Sequence, residues 1–213
     1  MYRSRIRLSS KPCAAIPVPE VSGVTPIATE FLTGQLLLAM PQLRDAPFQH
    51  AVILICVHNA DGALGICVNR PLIKATFEQL LAQLGISPHP PVRTLPLHEG
   101  GPVDQTRGLV LHSTDWAGDA TLTINGDLAL TGSLDVLQAL ADGGGPRDVL
   151  FALGHAGWGR GQLEREIAGN SWLTTSATDF DLIFGGSDGE KWRRALATLR
   201  VDPGLLSDAV GHA

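Results

Sequence analysis

The chain has 213 residues, of which 44% are hydrophobic and 17% charged, enough apolar content to bury a sizeable core without disulfide or metal staples. Its net charge of −5 is uneven, because residues 1–30 hold Arg3, Arg5, Arg7 and Lys11 against Glu20 and Glu30, which leaves −7 on the remainder. That balance argues against direct nucleic-acid binding, which draws its affinity from a basic face on the phosphates, and no apolar run approaches the roughly 20 residues of a membrane span.

Residues 1–32 carry Pro12, Pro17, Pro19 and Pro26 with no hydrophobic period. This composition predicts a disordered leader without the apolar core of a signal peptide. One folded domain is expected over residues 33–213. Gln35–Met40 reads as its first strand, closed by Pro41. The β-branched run Ala51–Val57 reads as a strand buried on both faces. His58-Asn59-Ala60-Asp61-Gly62 turns the chain, and Ala63–Asn69 returns as the hairpin partner.

Thr76 and Gln79 have the spacing of a capping box, followed by Leu80, Leu81 and Leu84 on one helical side. Gly108–His112, Thr121–Ile124 and Leu128–Leu130 are further short strands. A helix capped by Ser133 runs to Leu140, and Val149–Leu153 is another buried strand. The glycine-rich segment Gly154–Gly161 then reads as a turn opening a helix over 162–168. Ser187 and Glu190 repeat the capping-box spacing before the stripe Trp192, Leu196, Leu199. Early hairpins followed by later strand–helix alternation predict an α/β protein of the α+β kind, in one domain. Its core is expected to be a mixed, mainly antiparallel sheet, or a barrel-like one, covered by helices.

Six stretches in order, GQLLLAMPQL (34–43), AVILICVHNADGALGICVNRP (51–71), EGGPV (99–103), RGLVLHS (107–113), GHAGWGRGQLEREIAGNSWL (154–173) and GHA (211–213), resemble the YqgE/AlgH family. The chain departs from the pattern at His155, where the family motif carries an aromatic residue, and in its leader. The resemblance implies a compact α/β fold and a bacterial protein of a kind often labelled a transcriptional regulator. It brings no accepted catalytic residues with it.

Three cysteines, Cys13, Cys56 and Cys67, do not form a disulfide framework and suggest a reducing, cytoplasmic setting. Cys56 and His58 stand two residues apart on a strand, which would put both on one face roughly 6–7 Å apart. That arrangement leaves open a thiol activated by His58, with Cys67 as resolving thiol or metal ligand, or simply buried cysteines. No four-ligand metal set and no cofactor fingerprint is present. Gly154, Gly157 and Gly159, with His155, Trp158 and Gln162, suggest an anion cradle at a helix start or tight strand–helix packing. Gly101 in the EGGPV turn, with Arg107, His98 and His112 nearby in sequence, is a second candidate for a polar pocket. Without a GxSxG elbow or a base–nucleophile pair, the leading expectation is a non-enzymatic regulatory protein that meets a protein partner or a small effector. A thiol redox sensor and an anion-binding protein or enzyme are the alternatives.

Overall fold

In the computed structural model, which describes residues 31–43, 47–73, 75–89, 93–202 and 206, the hairpin read from the sequence forms the middle of a larger curled sheet. Strand β1 (Gln35–Ala39) lies antiparallel to β2 (Val52–Asn59), which turns back into β3 (Gly62–Cys67). Helix α1 (Phe77–Gln83) starts at Thr76 with both arms of the capping box in place. It is followed by β4 (Leu97–Glu99), β5 (Val103–Ser113), β6 (Thr121–Thr123) and β7 (Leu128–Thr131). Helix α2 (Asp135–Ala141), β8 (Val149–Gly159) and α3 (Gln162–Ala168) come next, and then β9 (Trp172–Ser176), α4 (Phe180–Ile183) and α5 (Asp188–Thr198).

The strands run in the order β6-β7-β5-β8-β3-β2-β1-β9, and β4 adds to β8 as a parallel neighbour. All the other described pairings are antiparallel. The mainly antiparallel sheet covered by helices is therefore the expected architecture. One face of the curl holds Leu36, Leu54, Leu111 and Leu150, and it is filled by α4 and α5 through Leu182, Ile183, Trp192 and Leu196. The opposite face carries two separate layers. Helices α1 and α2 cover Val110, Val149 and Phe151, while α3 covers Ile53, Ile55 and Trp158.

The longest departure from the sequence reading is β8. The strand does not stop at Leu153 but continues through the glycine-rich segment to Gly159. Its first half pairs with β4 and β5, and its second half pairs with β3 through Gly62–Gly65. At the change of partner Gly154 takes φ 71°, a left-handed conformation open to glycine. There the alternation of faces also changes phase. Leu150 and Ala152 enter the central core, whereas Ala156 and Trp158 face α3. Gly101 lies flush against this crossing, where an added Cβ would sit 2.2 Å from the His155 carbonyl carbon. Close backbone approach is thus what the EGGPV glycine serves.

Strands β4 and β9 and helix α4 carry no clear period of their own, and the sequence reading lacks them. Their residues are ordered by neighbours already in place. Helix α2 starts after Leu134 rather than Ser133, whose hydroxyl instead donates to Asp135. Ser187 does precede α5, but its side chain makes no capping bond. Phe31 and Leu32, assigned by sequence to the leader, pack on the domain: the Phe31 ring meets His58 edge-on at 5.3 Å, and the Leu32 N–H donates to His58 Nδ1. The rest of the expected leader, Cys13 and the terminal GHA lie outside the described residues. No helix among the described residues is long and apolar enough to cross a membrane.

Candidate functional site

A cleft of about 430 Å³ opens where the first turns of α5 cross the ends of β2 and β3. Gln49 and His50 form one wall, Asn69 and Arg70 another, and α5 supplies Asp188, Gly189, Trp192 and Arg193. Each wall is fixed by bonds that follow from local sequence. Asn69, just past β3, accepts from the Val52 N–H at 2.8 Å and donates to the His50 carbonyl at 2.9 Å. It thereby ties the start of β2 to the end of β3. Arg70 Nη2 donates to the Gln49 carbonyl at 2.8 Å.

Helix α5 is held down by two side chains on its inner face. Trp192 Nε1 donates to the Ala39 carbonyl at 2.8 Å. Lys191 is only 2% exposed, yet all three of its ammonium protons have acceptors, Val68 O at 2.8 Å, Ile183 O at 3.0 Å and Asp188 Oδ1 at 2.9 Å. A buried charge is tolerable only with such saturation. Asp188 also meets His98 Nε2 at 3.3 Å. Burial acts to raise its carboxyl pKa, but the bonds from His98 and Lys191 outweigh it and hold Asp188 below the usual carboxylate range. The floor of the cleft is therefore an ionised aspartate already neutralised by a lysine.

The residues singled out from sequence do not converge here. Cys56 is the extra residue of a bulge between Ile55 and Val57. Its side chain joins the central core, whereas His58 faces α3, so the two do not share a face. His58 is engaged at both nitrogens, accepting from Leu32 N–H at 3.0 Å and meeting Glu164 Oε1 at 3.2 Å. Cys67 lies in the layer under α3, on the other face from Cys56, and both thiols are free. Burial pushes both thiols above their ordinary value, which suppresses the thiolate.

Of the two readings of Gly154–Gly161, tight packing has the more support, because Ala156, Gly157, Trp158 and Gly159 are paired with β3 as strand residues. Trp158 and Gln162 serve packing. Glu166 Oε2 accepts from both Trp158 Nε1 at 2.9 Å and Trp172 Nε1 at 2.8 Å, while Gln162 Nε2 donates to Glu166 Oε1 at 2.8 Å. His155 is half-buried, and burial together with the Arg107 charge lowers its pKa. His98 and His112 are apart: His98 stands opposite Ala152 of β8, and His112 stands opposite Val149 with its Nε2 bonded to Thr131 Oγ1 at 2.9 Å. Among the described residues no three His, Cys, Asp or Glu side chains gather as a metal set.

The cleft residues were missed because they come from three separated stretches whose patterns report strand ends and a helix start, not a shared site. One signal was available: Asn69-Arg70-Pro71 sets two long polar side chains directly after the buried strand Ile66–Val68, where a surface strand end is the only place for them. The basic residue that closes the far wall, Arg193, sits one position after Trp192 and is exposed.

Comparison with known proteins supports the fold and the kinship. The AlgH-like family model matches residues 36–204. A UPF0301 protein of Gluconobacter oxydans is 49% identical over 184 residues, covering 85% of this chain and 98% of that one. One from Rhodospirillum rubrum is 46% identical over 183 residues, covering 86% and 95%. The solution structure of the AlgH protein from Pseudomonas aeruginosa superposes with a TM-score of 0.70 at 38% identity, covering 89% of this chain and 100% of that one. Protein DIP2367 from Corynebacterium diphtheriae shares the fold, with a TM-score of 0.63 at 21% identity over 83% of this chain and 91% of its own. With the family model spanning the whole described sheet and relatives near half-identical along most of the chain, this protein belongs to the AlgH-like family.

Proposed function

We propose that this chain acts by binding rather than by catalysis, as a regulatory protein whose small effector occupies the cleft at the start of α5. The observation that carries the reading is the preformed character of that cleft. Its walls come from three separated segments, and a saturated buried lysine, an asparagine bridge and an indole bond hold them in place. Ligand sites are of this kind, concave, largely preformed and a few hundred Å³ in volume. The thiol alternative has less support, since Cys56 and Cys67 are buried on opposite faces. Direct DNA contact is disfavoured by the net charge of −5.

The test is a thermal-shift screen of the full chain against a broad set of small metabolites, followed by indole NMR with Trp192→Phe to assign the Trp192 signal. A binder that raises Tm and moves that signal is the expected result. A screen in which stabilising compounds move only other indoles would remove the cleft from consideration. Tight, salt-sensitive association with duplex DNA would overturn the effector reading.

A further inference from the structure

We propose that the ligand of this cleft is a small anion, a metabolite bearing a carboxylate or phosphate group, and that Arg70 and Arg193 hold it. The inference rests on the binding reading above and specifies its chemistry. Two positive side chains line the cleft, and the one carboxylate that lines it with them is already matched. Asp188 is bonded to Lys191 at 2.9 Å and to His98 at 3.3 Å, so it leaves the two guanidinium charges uncompensated.

Arg70 is held in place but not saturated. Its Nη2 is anchored on the Gln49 carbonyl at 2.8 Å, and its inner edge lies beside the buried Cys67 thiol, so the guanidinium is fixed at the cleft wall. A planar, permanently charged fork anchored at one corner is suited to bidentate recognition of a carboxylate or phosphate. Arg193 stands across the cleft. The described ion pairs of α5 are Asp188 with Lys191 and His98 and Arg194 with Asp179 and Asp181, and Arg193 enters none of them.

The same opening presents the start of an 11-residue helix. Its Gly189 has nothing within 4 Å of where a Cβ would be, so that side of the first turn is open. The turn's own carboxylates, Asp188 and Glu190, already complement the partial positive charge of the helix start, so recognition of the anion falls to the two arginines. On a chain of net charge −5, a concentration of positive charge in a concave, half-enclosed site is a local departure from the surface as a whole.

Calorimetry on the full chain at low salt, with inorganic pyrophosphate and with citrate as the two probes, tests the assignment. At least one probe is expected to bind and to shift the Trp192 indole resonance. Arg70→Gln and Arg193→Gln should each weaken binding about tenfold or more, roughly the loss of one charge-assisted bond. Arg70→Lys keeps the charge and serves if Arg70→Gln does not fold; loss of the fixed fork should weaken binding there too. Arg160→Gln, which removes an exposed charge paired with Asp61 outside the cleft, should bind as the parent does. Pyrophosphate alone binding identifies a phosphate ligand, and citrate alone a carboxylate. Equal binding by the parent and both cleft variants, or equal loss in Arg160→Gln, overturns the anion site. If a neutral metabolite moves Trp192 while neither anion does, the anion assignment fails and the binding reading stands; if nothing moves it, both fail.

Discussion

Cys56 and His58, two positions apart on one strand, point to opposite faces of the sheet. The bulge between Ile55 and Val57 shifts the alternation by one, so Cys56 joins Leu54 in the central core and His58 joins Ala63 and Trp158 under α3. With the thiol desolvated and its pKa raised, the pair does not work as an activated nucleophile. Native protein treated with iodoacetamide at neutral pH should leave Cys56 and Cys67 unmodified on peptide mapping, and both should react once urea unfolds the chain. Fast alkylation of Cys56 in the folded state would restore the redox reading.

Lys191 couples α5 and α4 to the end of β3. Lys191→Ala removes the ammonium, leaves the Val68 and Ile183 carbonyls facing a cavity, and leaves the half-buried Asp188 with only His98. Urea denaturation should show a loss of about 3–5 kcal/mol, the usual range for breaking a buried ion pair from one side. A loss below about 1 kcal/mol, typical of exposed pairs, would mean that α5 does not depend on this anchor.

The depressed carboxyl of Asp188 has a pH signature with a definite sign. A folded-state pKa below the unfolded value contributes stability that is complete above about pH 4 and is lost as pH falls through the folded value. Asp188→Asn should therefore be less stable than the parent at pH 7, and the difference in Tm should close as both are acidified towards pH 3. A gap of constant size across that range would show that the charge of Asp188 is not what stabilises the helix.

Gly101 and Gly126 make a matched pair. Gly101 has φ 152° and its added Cβ would meet the His155 backbone at 2.2 Å, whereas Gly126 has nothing within 4 Å. Gly101→Ala should destabilise by roughly 2–4 kcal/mol, because backbone, not a flexible side chain, has to yield. Gly126→Ala should stay within about 0.5 kcal/mol of the parent. Equal Tm values for the two variants would contradict the close crossing of the EGGPV turn over β8.

The elements that could be read in the sequence were those whose residues carry their own signal. The apolar run at β2, the turn before β3 and the capping box at Thr76 each report on local geometry, and each is present. The extension of β8 through Gly159 could not be read, because four glycines in eight residues look like a turn when no partner strand is known; β3 supplies the pairing that keeps Gly157 and Gly159 in the strand. The bulge at Cys56 is equally invisible, and it alone reverses the inference drawn from i, i+2 spacing. The cleft depends on Arg70, Asp188 and Arg193 meeting across more than a hundred residues, which no periodicity encodes.

Strand β8 has a consequence for how the chain is made. Translation delivers β1, β2 and β3 first, and β4 to β7 afterwards, yet apart from a short direct link around Cys67–Leu72 and Leu97–Gly100 these two groups are joined through residues 149–159. On the ribosome each group waits as a partial sheet with an open edge until β8 has cleared the exit tunnel. Strand β1 remains bare on one side longer still, until β9 emerges with Leu173 and Thr174 to pair with Leu38 and Leu37. Such distant pairings slow folding and lengthen the exposure of sticky edges. A nascent chain released before about residue 160 would therefore lack the strand that unites its sheet, and would be a substrate for chaperones rather than a smaller version of the fold.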